Sequence, residues 1–263
     1  MKGKHVLSIN DFSKEEILKI ISVANQLENN PQPNLLQGKV LATLFFEPST
    51  RTRLSTESAM ARLGGHVISV AEPKSSSASK GETVYDTARM VENYADVIAI
   101  RHYLEGAARV TANAVSVPVI NCGDGANQHP TQTLTDLYTI KKTQGGMDHL
   151  QIALMGDLRY GRTVHSLAIA LTHFNCKLYF VAPPGLEMPK DYLNYLDSKS
   201  IPYEQFEDVA DIIDKVDILY CTRIQAERFP DKAEYEKLKH SYQITPKMLE
   251  NVKSNLKILH PLP

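Results

Sequence analysis

One stretch of the chain reads Val40-Leu41-Ala42-Thr43-Leu44-Phe45-Phe46 and then Glu47-Pro48-Ser49-Thr50-Arg51-Thr52-Arg53. Its first half is a short apolar run rich in strand formers, and such runs form buried strands. We expect a helix to begin near Thr50 and to end at Leu63. The polar second half is therefore a strand-to-helix loop, and a strand, a loop and a helix in this order indicate an α/β fold.

The alternation of strand and helix continues along the rest of the chain. Ser13 and Glu16 have the spacing of a capping box, which predicts an opening helix over residues 13–28. Further strands are expected over residues 66–71, 96–101, 117–121, 151–155, 177–181, 203–206, 217–221 and 256–259. Further helices are expected over residues 82–94, 106–114, 131–143, 161–173, 189–199, 208–215, 232–239 and 246–252, the last of them capped by Thr245. Short apolar strands that alternate with helices predict parallel sheets.

The loop over residues 122–130 divides this alternation into two runs. We therefore expect two consecutive α/β domains, 1–130 and 131–263, each with a mainly parallel sheet covered by helices on both faces. Ligands of such sheets bind beyond the carboxyl ends of the strands. The functional residues are therefore expected in the strand-to-helix loops.

The composition excludes several classes of protein. Hydrophobic residues make up 43% of the 263 residues and charged residues 22%, which is globular usage and excludes disorder as the main state. The 29 basic and 30 acidic residues leave a net charge of −1, which argues against a nucleic-acid binder or a protein of anionic membrane surfaces. No apolar run reaches the ~18 residues of a membrane-spanning helix, and the first residues lack a signal-peptide core. Three widely spaced cysteines, Cys122, Cys176 and Cys221, are expected as core residues of a cytoplasmic protein.

Arginine recurs in the loops that follow strands, as Arg51, Arg101, Arg162 and Arg223. The first backbone N–H groups of a helix are unpaired and its dipole favours anions, so the hydroxyls and guanidiniums of residues 49–53 predict a phosphate or carboxylate site. Helix capping would explain one hydroxyl of this segment but not both of its arginines. Because arginine binds carboxylate and phosphate through two parallel hydrogen bonds, we expect ligands that carry several negative charges.

Two further loops are ambiguous from their residues alone. Lys80, in a Ser-rich loop, has the pattern of a solvated surface lysine. His129 precedes the proline that starts a helix, and at this junction of the two halves a structural and a catalytic role are equally open.

The loop from Gly156 to Gly161 lacks the G-x-G-x-x-G pattern, which disfavours a dinucleotide site. No carboxylate pair of a glycosidase, no Ser-His-Asp order and no metal-ligand spacing stands out.

Three motifs give the chain a resemblance to a known family. They are Ser49-Thr50-Arg51-Thr52-Arg53, His129-Pro130-Thr131-Gln132 and His260-Pro261-Leu262-Pro263. Together they resemble the aspartate/ornithine carbamoyltransferases, in order and over nearly the whole chain. The resemblance implies one domain for carbamoyl phosphate and one for the amino acid, a homotrimer whose active sites are shared between neighbouring chains, and no metal or organic cofactor. Whether regulatory chains also bind is left open.

The resemblance also implies roles for individual residues. For carbamoyl phosphate it implies Ser49, Thr50, Arg51 and Thr52 on the phosphate, Thr52, Arg101 and His129 on the carbamoyl oxygen, and Gln132 on the amino group. From the adjacent chain it implies Ser76 and Lys80. For aspartate it implies Arg162, Arg223 and Gln225 on the carboxylates, with the backbone of Leu262 and Pro263 against both substrates. The residues expected to be catalytic are Arg51, Thr52, Lys80, Arg101 and His129.

The implied reaction is transfer of the carbamoyl group from carbamoyl phosphate to the α-amino group of L-aspartate, a step of pyrimidine biosynthesis. Ornithine is the alternative acceptor, but family members that use it typically have Cys at the position of Pro261. Arg223 and Gln225 also suit a second carboxylate better than an ammonium group. A non-catalytic anion-binding subunit of an assembly is the other alternative.

Two expectations concern how the halves of the chain meet. Glu47 is expected to pair with a second-half arginine such as Arg228 when the halves approach. Family chains continue past the position of Pro263 into further helices, one of which packs on the first domain. The resemblance therefore implies that these helices are absent from this sequence.

Overall fold

The computed structural model describes residues 3–70, 77–224 and 242–262. The chain divides into two compact units, Met1–Leu134 and Thr135–Pro263. The boundary between the units lies within a helix, and the sequence-based boundary after residue 130 lies at the start of that same helix.

The first unit contains a four-stranded parallel sheet with the strand order β2-β1-β3-β4. Its strands are β1 (Val40–Phe45), β2 (His66–Val70), β3 (Val97–His102) and β4 (Val119–Asp124). Its helices are α1 (Lys14–Asn29), α2 (Arg51–Arg62), α3 (Val84–Val91), α4 (Ala107–Ala114) and the start of α5 (Pro130–Gln144). The capping box of α1 is confirmed, because the Glu16 amide donates to Ser13 Oγ and the Ser13 amide donates to Glu16 Oε2.

The inner strand β1 of the first sheet is buried on both faces. Ala42 and Leu44 of β1 lie in one buried cluster, which includes residues of α3 and α4. Leu41 and Phe45 point the other way, into a second cluster with Met60 of α2. Successive side chains of a strand alternate between faces, so the near-continuous apolar run of β1 is what a strand covered on both sides requires.

The second unit contains a five-stranded parallel sheet with the strand order β7-β6-β5-β8-β9. Its strands are β5 (Gln151–Met155), β6 (Lys177–Val181), β7 (Tyr203–Phe206), β8 (Ile218–Cys221) and β9 (Lys257–Leu259). Its helices are the rest of α5, α6 (Arg162–Leu171) and α7 (Lys190–Ser198). Every residue of α6 from Val164 to Leu171 is buried. The predicted fold class, two successive α/β units with parallel sheets, is confirmed.

Two predicted helices of the second unit are wrong. Residues 208–215 contain only a 3₁₀ turn over Val209–Asp211, because this short segment, rich in poor helix formers, packs Ile212 and Ile213 against the sheet instead of propagating a helix. Residues 246–252 likewise contain only the 3₁₀ turn Pro246–Leu249, and the Thr245 side chain makes no capping hydrogen bond. The helix expected over residues 232–239 lies outside the described residues.

Each sheet has one place where the strand order reverses direction. In the first sheet the chain moves from β1 to β2 on one side and then returns to β3 on the other, so the switch point lies between β1 and β3. In the second sheet it lies between β5 and β8. Ligands of open α/β sheets bind at such points. Within the described residues, no helix is long and apolar enough to cross a membrane.

Candidate active site

The loop from β1 to α2 presents the start of a helix at the first switch point. Thr50 is the N-cap residue, has helical dihedral angles (φ −81°) and makes no side-chain capping hydrogen bond. Arg51, the first residue of α2, is exposed. The amide groups of the first helical turn are therefore not satisfied by a capping side chain, which is the arrangement that binds an anion. Ser49 and Thr52, on either side, are half-buried.

The second arginine of this loop does not join the first. Arg53 donates from Nε to Glu57 Oε1 at 2.9 Å, and the same oxygen accepts from Thr43 Oγ1 at 2.9 Å and Ser69 Oγ at 3.0 Å. Burial acts to raise the pKa of Glu57, but these three hydrogen bonds hold it below its usual value. The interpretation that both guanidiniums form the anion site is therefore wrong for Arg53, whose side chain pairs with Glu57 of the same helix, and Glu57 in turn joins α2 to β1 and β2.

Arg101 lies at the end of β3, in register with Phe45 at the end of β1. Its Nε is 3.0 Å from Glu47 Oε2, an ion pair without the angle of a hydrogen bond, and its Nη1 donates to the Cys122 carbonyl at 3.3 Å. Glu47 therefore pairs with an arginine of its own unit in this structure. Arg228, its expected partner, lies outside the described residues. The contact holds the guanidinium of Arg101, whose side chain is 12% exposed, at the first switch point.

His129 is buried, 6% exposed, and directly precedes α5. Its Nδ1 is 3.3 Å from Thr131 Oγ1, and its carbonyl accepts from the Thr133 amide at 3.1 Å. Gln132 is half-buried in the same helical turn. The strand before this loop, β4, is the neighbour of β3, so parallel pairing brings the start of α5 to the same edge of the sheet as Arg101.

Sequence reasoning missed Asp124, which organises the loop before His129. Its carboxylate accepts hydrogen bonds from Asn121 Nδ2 at 2.9 Å, the Gly106 amide at 3.0 Å, Asn127 Nδ2 at 3.1 Å and the Gln128 amide at 3.1 Å. It is 2% exposed. The available signal was an Asp and two Asn residues in a glycine-containing loop, since such side chains bind nearby backbone groups.

The loop that follows β2 is only partly described. Lys80 is exposed and ends a 3₁₀ turn over Ser77–Lys80. Ser76 lies outside the described residues. Lys80 therefore lies at the surface of the first unit, outside any strand or α-helix.

The second switch point joins the ends of β5 and β8 closely. The Thr222 amide, after β8, donates to the Met155 carbonyl at the end of β5 at 2.8 Å. Gly156 has a φ of +119°, and a Cβ on it would be 2.3 Å from the Thr222 carbonyl oxygen. Arg162 is half-buried as the first residue of α6, and Arg223 is exposed directly after Thr222. Both arginines therefore flank the loops of this switch point, whereas Gln225 lies outside the described residues.

The end of the chain turns sharply after β9. His260 Nδ1 accepts a hydrogen bond from the Leu262 amide at 2.8 Å, and Leu262 has a φ of +53°. Burial lowers the pKa of His260, and the positive charge of Arg223 lowers it further. A non-glycine residue with positive φ is strained, and such strain is concentrated at functional sites. Pro263 lies outside the described residues.

The described residues contain no group of three His, Cys, Asp or Glu side chains placed as metal ligands would be. Cys122 and Cys176 lie in the core, as predicted, whereas Cys221 is half-buried and packs against it. Burial raises the pKa of the Cys122 thiol to about 12 and that of Cys221 to about 11, which makes both poor nucleophiles. The chemistry that the two switch points offer is therefore the binding and polarisation of anions by arginine, backbone amides and a buried histidine.

Known proteins share both halves of this arrangement. The family description "Aspartate/ornithine carbamoyltransferase, carbamoyl-P binding domain" matches residues 4–142, and the corresponding "Asp/Orn binding domain" matches residues 148–263. The aspartate carbamoyltransferase catalytic subunit of Bacteroides fragilis is 55% identical over 264 residues, which cover 100% of this chain and 86% of that protein. The corresponding subunit of Thermococcus kodakarensis is 55% identical over 266 residues, with the same two coverages.

Solved structures agree with these sequence matches. The catalytic subunit of M. jannaschii aspartate transcarbamoylase has a TM-score of 0.91 at 51% identity, covering 99% of this chain and 86% of that one. The Trypanosoma cruzi aspartate transcarbamoylase in complex with N-(phosphonacetyl)-L-aspartic acid has a TM-score of 0.91 at 36% identity, covering 99% and 85%. The fold, both domain matches and the relatives agree, and the chain belongs to the aspartate/ornithine carbamoyltransferase family.

Proposed function

We propose that this chain transfers the carbamoyl group of carbamoyl phosphate to the α-amino group of L-aspartate, which gives N-carbamoyl-L-aspartate and phosphate. The observation that carries the proposal is the first switch point. There the uncapped start of α2, with Arg51, lies at the same sheet edge as Arg101. The relatives' activity and the Trypanosoma cruzi complexes with carbamoyl phosphate and aspartate support the same reaction.

The reaction needs donors at two places where negative charge grows. The α-amino group attacks the carbamoyl carbon, so charge develops on the carbamoyl oxygen and then on the departing phosphate. Ser49, Thr50, Arg51 and the first amides of α2 hold the phosphate. Thr52, Arg101 and His129 donate to the carbamoyl oxygen. Removing one fixed donor of this kind typically lowers the rate by ~10²–10³.

His129 is suited to this donation by its surroundings. When the Thr131 hydroxyl donates to Nδ1, across 3.3 Å, the ring proton of a neutral imidazole is on Nε2. Nε2–H is then the donor for the carbamoyl oxygen. Gln132, in the same turn of α5, binds the carbamoyl amino group.

Positioning supplies the remainder of the catalysis. Holding two substrates in reacting geometry can lower the barrier by roughly 7–11 kcal/mol, and no covalent intermediate is needed. The proton released by the attacking amine passes to the departing phosphate, whose oxygens become basic as the bond to carbon breaks.

Aspartate is favoured over ornithine by the second unit. Arg162 and Arg223, which flank the loops of the second switch point, together with Gln225, bind the two carboxylates of aspartate. Pro261 stands where ornithine-using family members typically have Cys. The backbone of Leu262 and Pro263 contacts both substrates.

The finer parts of the proposal concern assembly and setting. The chain acts as a cytoplasmic homotrimer in which Ser76 and Lys80 complete the active site of a neighbouring chain. The exposure of Lys80 on the first unit supports this role. The word subunit in the relatives' names supports an assembly in which regulatory chains also bind. The product, N-carbamoyl-L-aspartate, is used in pyrimidine biosynthesis.

A product assay with the full-length protein tests the proposal. Carbamoyl phosphate is supplied with L-aspartate or L-ornithine, and the ureido product is identified by mass spectrometry. Formation of N-carbamoyl-L-aspartate is expected. Formation of citrulline would establish the ornithine alternative, and binding of carbamoyl phosphate without turnover would establish the non-catalytic one.

A pair of variants makes the assay specific. Arg223→Ala should raise the KM for aspartate about tenfold or more and leave the KM for carbamoyl phosphate within about twofold, because one carboxylate loses a charge-assisted partner. Lys199→Ala removes an exposed cation at the C-cap of α7 in the same unit and should change neither constant. Equal aspartate kinetics in both variants would contradict the role of Arg223.

A further inference from the structure

The loop between β5 and α6 is held in one tight shape. Its Leu158 is fully buried, and the Leu158 amide donates to the Leu186 carbonyl at 3.1 Å. The Tyr160 amide donates to Asp157 Oδ1 at 2.9 Å. A Cβ on Gly161 would be 2.5 Å from the Asp157 carbonyl oxygen, so the chain passes very close to itself there. The next residue along the chain, Arg162, is the first of α6.

A buried histidine on α6 reaches back to this loop. His165 is 4% exposed, and its Nε2 is 2.7 Å from the Leu158 carbonyl oxygen. Because a carbonyl can only accept, Nε2 carries the proton of the ring. The ring is stacked on Tyr192 of α7, with centroids 4.1 Å apart and an 18° angle between planes. Leu158 is therefore held by both of its backbone groups, because its amide bonds to the Leu186 carbonyl and its carbonyl bonds to His165 Nε2.

A structural role in the core does not account for a histidine at this position. Its Nδ1 is buried and has no hydrogen-bond partner among the described residues, and its neighbours on α6, such as Val164 and Leu167, are apolar. Burying a polar atom without a partner destabilises a protein, and an apolar side chain would avoid that penalty. Burial also lowers the pKa of His165 to about 4, so the ring is neutral at pH 7. Compared with an apolar side chain, the histidine adds one interaction, the hydrogen bond from Nε2–H to the Leu158 carbonyl.

We propose that His165 is a positioning residue for Arg162: its hydrogen bond to the Leu158 carbonyl fixes the loop over residues 157–161 and so sets where the first residue of α6 presents its guanidinium to the aspartate carboxylate. This inference rests on the proposed function, because it assigns a consequence for aspartate binding. It concerns the acceptor substrate only, since every contact that carries it lies within the second unit.

Three variants and one control separate positioning from stability. His165→Phe keeps an aromatic ring to stack on Tyr192 but has no donor. His165→Gln places an amide N–H at about the reach of Nε2, whereas His165→Asn is too short to reach the carbonyl. Tyr179→Phe is the control, because it removes a partly buried hydrogen bond of 2.7 Å to Gln151 at the start of β5, at the other end of the strand from the loop.

Steady-state kinetics and melting temperatures are measured for the full-length proteins. His165→Phe and His165→Asn should raise the KM for aspartate about tenfold and leave the KM for carbamoyl phosphate within about twofold, because small misplacements of a binding group are costly. His165→Gln should recover most of the wild-type value. Tyr179→Phe should lower the melting temperature without changing the KM for aspartate. If His165→Phe does not fold, the Asn and Gln variants decide, and an equal KM for aspartate in those two would overturn the proposal.

Hydrogen–deuterium exchange of the loop provides a readout that does not depend on activity. Amide exchange over residues 157–161 should be faster in His165→Asn than in wild type and should be restored in His165→Gln. Unchanged exchange in both variants would overturn the role of His165 even if catalysis is lost. Wild-type protein that makes no N-carbamoyl-L-aspartate would instead overturn the proposed function, and the exchange rates would still decide whether His165 holds the loop.

Discussion

Replacing Gly156 with alanine should force the carboxyl ends of β5 and β8 apart. Gly156 has a φ of +119°, a conformation that L side chains rarely adopt. A Cβ there would lie 2.3 Å from the Thr222 carbonyl oxygen and 2.6 Å from Thr222 Oγ1. The carbonyl belongs to the backbone and cannot rotate away as a side chain could. Relief therefore requires movement of Thr222, whose amide bonds to the Met155 carbonyl at 2.8 Å.

Three costs contribute to the expected loss of stability. Positive φ for an alanine costs about 1–2 kcal/mol. Overpacking a close contact costs about 1–3 kcal/mol. Loss of the hydrogen bond between Thr222 and Met155 costs about 1 kcal/mol. The free energy of unfolding should thus fall by roughly 3 kcal/mol or more. Because Arg223 follows Thr222 directly, the KM for aspartate should also rise, by about tenfold.

A second glycine of the same unit provides the control. Gly185 has a similar φ of +90°, but nothing lies within 4 Å of the position of its Cβ. Gly185→Ala should therefore cost only the backbone strain and leave the KM for aspartate unchanged. The measurements are urea unfolding and steady-state kinetics on both full-length variants. Equal losses of stability, or an unchanged KM for aspartate in Gly156→Ala, would refute the argument from steric contact.

Three further predictions address the first unit and the buried histidine. His129→Ala should lower kcat by about 10²–10³ with a smaller effect on carbamoyl phosphate affinity, and near-normal turnover would return His129 to a structural role. Arg51→Ala and Lys80→Ala should each be nearly inactive. Exchange of chains between the two variants should restore activity, because every mixed trimer contains one boundary between chains at which both cations are intact. If activity stays at the level of the single variants after proven exchange, the active sites are not shared between chains. The pKa of His165 is about 4 when folded, against an ordinary 6.5, so the unfolded chain binds a proton that the folded chain does not between these pH values. As the pH falls through this range, the free energy of unfolding of wild type should decrease relative to His165→Gln by about 1.4 kcal/mol per pH unit, and parallel pH profiles would contradict the burial of a neutral ring.

The site residues divide between those that local sequence identified and those that it could not. Arg51, Arg101 and His129 stand in or directly beside strand-to-helix loops. The loops of parallel strands meet at one edge of a sheet, so the type and position of these residues pointed to an anion site. Arg53 has the same local signal as Arg51, yet Glu57 four residues along the helix holds it in a separate cluster. Asp124 gave only a weak signal, because its partners include Gly106 from a distant loop.

The alternation of strands and helices could be predicted from the sequence alone, because apolar runs and helix caps depend on interactions between residues that are close in the chain. That sufficed for β1, whose apolar run is buried on both faces, and for the capped start of α1. It failed over residues 208–215, a short segment of poor helix formers that packs Ile212 and Ile213 against the sheet instead of forming a helix. The strand order, and with it the position of the two switch points, became known only from the folded chain. The contacts of Gly156 with Thr222 and of His165 with Leu158 were also visible only in the folded chain. Such contacts depend on the packing of whole helices and strands and leave no periodic pattern in the sequence.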